Sequence, residues 1–279
     1  MRRGLHIYVY GHLHISLCAT VLFMCGYQLA GLETSLASYL FIFTSTLLIY
    51  TLHRHLAAQK FDQISSLKRY TFVNKHTRLT WILLVTCLVI SGYTFFLLQP
   101  TNQFAMIVSG ILSVGYVLPL IANSRLRDIG ILKIFLISIV WGVLPGLGFL
   151  ERDGLTTQSL VIMLEHVAFI FALTIPFDIR DRDLDRGAQV SNLANQLGLT
   201  TSMAWMVFIL LLSVILASIN FMIGTYTLEI VGTQVLFYAL VLYACYKAQD
   251  RDELYYLLYL DGLILLKGAI LITGSHYLA

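Results

Sequence analysis

Uninterrupted apolar runs of about 20 residues, the length a membrane-spanning helix needs, recur from one end of this chain to the other. They lie near 8–30, 35–57, 78–98, 103–121, 129–149, 158–177, 201–221, 226–247 and 255–276. Inside a bilayer the backbone must satisfy its own hydrogen bonds, so only helices and closed barrels span it. Barrel strands alternate apolar and polar residues, and these runs do not. The expected fold class is therefore all-α: a polytopic membrane bundle of nine helices. Composition agrees, because 58% of the 279 residues are hydrophobic and only 12% are charged. An ordinary soluble domain carries about twice that charge, and a disordered chain is poor in apolar residues. The runs leave no room for a second unit, so residues 1–279 read as one transmembrane domain. Pro100, Pro119, Pro145 and Pro176 sit in or near span ends, where a lost backbone bond is tolerated. Cys18, Cys25, Cys87 and Cys245 stand singly in apolar runs. They read as buried small hydrophobes, not as a disulfide or zinc framework.

The net charge of +3 is small and calls for no nucleic-acid partner; its distribution is more informative. Arg2 and Arg3 precede the first run, Arg54 to Arg78 fill the connection after the second, and Arg125, Arg127 and Lys133 follow the fourth. Arg180, Arg182 and Arg186 follow the sixth, and Lys247 and Arg251 the eighth, while the other side carries only Arg152. Every second connection is basic, which by the positive-inside rule places the N-terminus in the cytoplasm and the C-terminus outside. Spans continue to the end of the chain, so the first reads as a spanning helix and not as a cleaved signal peptide. Lacking any organelle-targeting segment, the sequence reads as an integral protein of a bacterial inner membrane.

The polar, charge-rich connections 53–77, 122–128 and 178–200 all fall on the cytoplasmic side. If the spans surround one cavity, these connections cap its mouth. The sharpest of them begins Asp178-Ile179-Arg180-Asp181-Arg182-Asp183-Leu184-Asp185-Arg186. On a helix, residues three, four and seven apart share a face, so Asp178, Asp181 and Asp185 form an acidic stripe directly continuing an apolar span. Magnesium suits such a stripe, because it takes few carboxylates and completes its shell with water and phosphate oxygens. A solvated helix end carrying both charges is the alternative. His53-Arg54-His55, followed by Lys60, closes the second span at the same level, and Arg125 and Arg127 follow the fourth. Each group reads either as a diphosphate holder, through charge-assisted hydrogen bonds, or as an interfacial anchor. Within the spans, Glu165, His166, Asp261 and Lys267 need partners or water. Packing is the expectation for Lys267, and Asp261 is left open. His12, His14 and the tyrosines Tyr255, Tyr256 and Tyr259 read as interfacial.

With nine spans, an inward N-terminus and caps after spans two, four and six, the chain resembles the UbiA superfamily of intramembrane prenyltransferases. The most specific match is the second aspartate-rich motif, DxxxD, at Asp181 and Asp185, with Asp178-Ile179-Arg180 resembling the lead-in of menaquinone-type members. Leu197-Gly198, opening the next span, is similar too. The resemblance implies a central lipid-accessible cavity and Mg²⁺-dependent ionisation of an isoprenyl diphosphate. The prenyl group would then pass to a lipophilic acceptor such as a quinone precursor, within membrane lipid. It places Mg²⁺ on Asp181 and Asp185 with Asp178 as their partner. Arg54, Lys60, Arg125, Arg127, Arg180 and Arg186 are then candidates to neutralise the diphosphate, with His53 and His55 beside them. The chain departs from the family at the first acidic motif, whose positions hold Thr51, His55 and Gln59. It also lacks the basic residue that follows DxxxD, where Gln189-Val190-Ser191-Asn192 stands. The departures keep two further readings open. One is a UbiA-type terpene cyclase without an external acceptor. The other is a non-catalytic isoprenoid-binding member.

Overall fold

The computed structural model describes residues 2–60, 68–118, 126, 130–187 and 191–275; the side chains of Arg2, Arg3, Gln59, Lys60, Arg69 and Asp250 fall outside the description. Arg125 and Arg127 also lie outside the described residues. The helices run α1 (Arg2–Tyr10), α2 (Leu13–Leu29), α3 (Leu36–Lys60), α4 (Lys68–Lys75), α5 (Thr77–Phe95) and α6 (Pro100–Val117). They continue as α7 (Leu132–Val143), α8 (Leu147–Asp153), α9 (Thr157–Arg180), α10 (Arg182–Gly187) and α11 (Leu193–Leu197). The chain closes with α12 (Leu199–Met222), α13 (Leu228–Lys247), a π-helical turn (Tyr255–Leu260) and α14 (Asp261–Ser275). No strand occurs among the described residues.

Small and polar residues at helical spacing decide which faces meet. In α12 the buried positions are Ser202, Met206, Leu210, Ser213, Ala217 and Asn220, steps of three and four that form one narrow seam packed on α9. In α5 the seam is Thr80, Leu84, Cys87, Ser91 and Thr94, packed on α3. Lipid is as apolar as leucine, so helices in it associate through close packing and polar contacts, which favours such residues at the seam. The opposite faces carry exposed Ile82, Val85 and Val89 on α5 and Phe208, Leu211 and Ile215 on α12. Apolar faces of that extent do not face water. Among the described residues seven helices are long and apolar enough to cross a membrane, α7 and α8 counting as one, and α1 with α2, bent by 59°, makes eight if the pair is a single broken span. The expected span 103–121 falls on α6, which is not among them and whose first turn holds Thr101, Asn102 and Gln103. The chain is an integral membrane protein, and its helices surround a cavity lined by α2, α3, α6, α7, α9 and α14.

Two spans are broken where the sequence reading had them continuous. Between α1 and α2 the chain bends at Gly11 and His12, and His12 has a positive φ of 61°. His12 and His14 are consequently buried, correcting their expected interfacial position. His12 Nδ1 shares a hydrogen bond of 3.3 Å with Thr51 Oγ1. His14 Nε2 donates to the Leu258 carbonyl at 3.1 Å, and its Nδ1 accepts from Tyr8 Oη at 2.9 Å. Between α7 and α8, Pro145 sits in a 3₁₀ turn, Leu144–Gly146, against which α2 packs at backbone distance. A Cβ on Gly26 would collide with the Pro145 backbone, and one on Gly148 would lie 2.8 Å from the Gly26 carbonyl oxygen.

Away from the cavity, Lys267 and Glu165 form a fully buried ion pair at 2.7 Å. Asn220 Nδ2 and Tyr226 Oη donate to Glu165 Oε2 at 2.9 and 2.6 Å, and Tyr238 Oη donates to Oε1 at 2.7 Å. The network joins α9, α12, α13 and α14, which is the packing role expected of Lys267. His166 beside it donates from Nδ1 to the Ile162 carbonyl at 2.8 Å, within its own helix.

Candidate functional site

The end of the bundle where α3 and α9 finish and α7 begins gathers the charged residues. The cavity opens there and runs inward, with a volume of about 350 Å³. His53, Arg54, Lys133, Asp178, Arg180 and Asp181 line its charged end. Its body is hydrocarbon and aromatic, with Phe41, Ile49, Met106, Ile137, Trp141 and Phe177 among the lining residues. One further carboxylate, Asp261 at the first turn of α14, also faces the cavity.

The acidic residues are not gathered into one stripe. Helix α9 ends at Arg180, and Asp181 takes φ −85° and ψ 3° before α10 restarts. Asp178 and Asp185, two turns apart, converge on a common point, while Asp181 is held by Arg180. Lys133 Nζ occupies that point, 2.7 Å from Asp178 Oδ1 and 2.9 Å from Asp185 Oδ2. Further donors hold the two carboxylates. The Leu193 amide donates to Asp178 Oδ2 at 3.0 Å, and Asn192 Nδ2 donates to Asp185 Oδ2 at 2.9 Å. Asn192 is itself fixed, because its carbonyl oxygen caps α11 by accepting from the Asn195 amide at 2.7 Å. Asp181 is gripped by its neighbour: Arg180 Nε and Nη2 each donate to one of its oxygens at 2.8 Å. Arg180 also lies over Tyr256, 4.7 Å from the ring centroid, and over Phe177 at 5.2 Å.

These contacts test the fit of a divalent ion. Among the described residues no group of three or more His, Cys, Asp and Glu is placed to hold a metal. Each of the three aspartates already meets a cation of the chain, so the side chains as arranged do not form a carboxylate cage for Mg²⁺.

The basic residues expected at the site divide as well. His53 and Arg54 reach the cavity, with His53 against Tyr116 at 5.7 Å and Arg54 over Tyr70 at 5.5 Å. His55 turns away to pack on Trp81 at 5.1 Å, outside the cavity lining. Arg186 is exposed on α10 and does not line the cavity. Lys60, Arg125 and Arg127 cannot be placed, for the reason given above. Tyr256, expected in an interfacial belt with Tyr255 and Tyr259, is instead buried under Arg180 and donates to the Ala248 carbonyl at 2.7 Å. Tyr259 does face outward. The sequence places Lys133 one turn after the Arg125 and Arg127 group, with the same two readings, and does not pair it with the aspartates. Its signal was there, an ammonium one residue inside an apolar helix, since ionisable groups within spans need partners.

No protein-family model matches the sequence, and a search of the curated proteins finds no match. Solved structures do match over nearly the whole length. A UbiA homologue from Archaeoglobus fulgidus bound to Cd²⁺ aligns with a TM-score of 0.66 at 13% identity, covering 96% of this chain and 98% of that one. The same kind of homologue bound to DMAPP and Mg²⁺ aligns at 0.65 and 16% identity, covering 95% and 98%. The apo UbiA homologue from Aeropyrum pernix K1 aligns at 0.65 and 14% identity, covering 95% and 97%. The chain therefore shares the fold of these UbiA homologues over nearly its whole length.

Proposed function

We propose that the chain is an intramembrane prenyltransferase that ionises an isoprenyl diphosphate and passes the prenyl group to a lipophilic acceptor, such as a quinone precursor. One observation carries this reading: one cavity joins a charged end holding His53, Arg54, Lys133 and Arg180 beside Asp178 and Asp181 to an apolar, aromatic body. An allylic diphosphate has the same two halves. The A. fulgidus homologue bound to DMAPP and Mg²⁺ supports the substrate class. Membrane orientation follows the basic connections, with the charged end of the cavity cytoplasmic.

In this reading Arg54, Lys133 and Arg180, with His53, hold the diphosphate. The bond between the allylic carbon and oxygen breaks, and the electron pair leaves with pyrophosphate. Cations fixed in advance at a site of low dielectric stabilise that developing charge. The apolar body keeps water from the allylic cation. A nucleophile then bonds to the allylic carbon, and Asp261 accepts the proton it releases. The A. fulgidus homologue binds Mg²⁺ together with DMAPP, whereas the three aspartates here already face cations of the chain.

A second reading is cyclisation of the cation inside the cavity. The aromatic faces of Phe41, Trp141 and Phe177 in the lining favour it, because aromatic faces stabilise cations. Both readings predict pyrophosphate release by the purified protein in lipid, offered dimethylallyl to geranylgeranyl diphosphate with and without Mg²⁺. Release that falls about tenfold or more in Arg180→Gln supports the ionisation step. A cyclic product formed without acceptor selects the second reading. Folded protein that releases no pyrophosphate from any of these donors, with acceptors present, overturns both.

A further inference from the structure

We propose that the Lys133 ammonium is a built-in replacement for a divalent cation, held between Asp178 and Asp185 and presented to the diphosphate. The role at the diphosphate rests on the proposed function; the cation replacement itself does not. Lys133 is buried, and its Nζ meets one oxygen of each carboxylate at 2.7 and 2.9 Å. Two carboxylates converging on one point are what Mg²⁺ uses from a protein when phosphate and water supply its other ligands. Here a tethered cation fills that point. Asn192 and the Leu193 amide hold the carboxylates in place around it.

At the end of α3, His53 and Arg54 also line the cavity. Cationic side chains thus reach the cavity from α3 and from α7, the latter held between two carboxylates. Lys133 and Asp178 line the cavity while Asp185 does not, so the ammonium is within reach of a phosphate oxygen that enters it. A divalent ion at this pair would have to displace the lysine or sit beside a like charge, which is costly at such distances.

The probe is Mn²⁺ alone, followed by its electron paramagnetic resonance signal in purified protein in lipid nanodiscs without prenyl diphosphate. Wild type, Asp185→Asn, Lys133→Met and the double variant Lys133→Met/Asp185→Asn are compared. Wild type is expected to bind Mn²⁺ no more tightly than Asp185→Asn. Lys133→Met is expected to gain a site, with the dissociation constant lowered by roughly a hundredfold or more, and the double variant to lose it. Tight Mn²⁺ binding by wild type that Asp185→Asn abolishes would overturn the proposal. So would folded Lys133→Met that gains no site. Where Lys133→Met does not fold, wild type against Asp185→Asn decides the matter. Pyrophosphate release is scored separately. Its absence sinks the proposed activity and leaves the Mn²⁺ comparison intact.

Discussion

Lys267 and Glu165 carry opposite charges at positions with no exposed surface, and their hydrogen-bonding neighbours offset the cost of burying them. Removing one member leaves the other as an uncompensated buried charge, which costs about 3–5 kcal/mol. Lys267→Ala should therefore lower stability by about that amount, read from unfolding in detergent. The double variant Glu165→Gln/Lys267→Met removes both charges and keeps acceptors for Asn220 and Tyr226, so it should recover at least half of the loss. A double variant no more stable than Lys267→Ala would show that the pair does not act through its charge. Asp261 faces a different test, because its proposed work is proton acceptance. Asp261→Asn should slow prenyl transfer by about a hundredfold or more while pyrophosphate release continues. Equal loss of both would assign Asp261 to diphosphate binding or to the fold.

The helices follow from the apolar runs, and their interfaces follow from which small residues recur at three and four positions. Gly26 is the tightest of these points, because the backbone of Pro145 packs directly over it. Gly26→Val should force α2 from the 3₁₀ turn and cost about 1–3 kcal/mol or more through overpacking. Gly110→Val on α6, where nothing lies within 4 Å of an added Cβ, serves as the control and should change stability little. Equal effects at the two positions would refute the contact argument. The breaks in the helices were harder to read. Gly11-His12 sits in an apolar run, and only packing shows His12 bonding to Thr51. The site was legible to the same partial degree. The acidic run is local in sequence and was visible, as was the adjacent Arg180. Its pairing was not, because Lys133 lies 52 residues from Asp185 and no local spacing joins them. A straight helical projection placed all three aspartates together, when only two converge and Asp181 is held by Arg180.

Alternating basic connections gave the whole chain an orientation that chemical labelling can check. Cys18, Cys25, Cys87 and Cys245 are all buried and unpaired, so a single introduced thiol is readable. Asp183 and Leu155 lie beyond opposite ends of α9, and both are exposed. Leu155→Cys should react with an impermeant maleimide on intact cells, and Asp183→Cys only after the membrane is opened. The reverse pattern would invert the topology. The count of crossings was less legible than the fold class, because α6 begins with polar residues and α1–α2 bends within its run. The cavity brings a further consequence at this scale. Its two halves favour different phases: the charged end suits an anion bound for water, and the lining behind it suits hydrocarbon bound for lipid. In the proposed reaction the two products part into those phases as they leave. Reversal would require both to return to one small volume from opposite sides of a phase boundary. Polarity alone would therefore rectify the reaction, giving it a direction without a moving part.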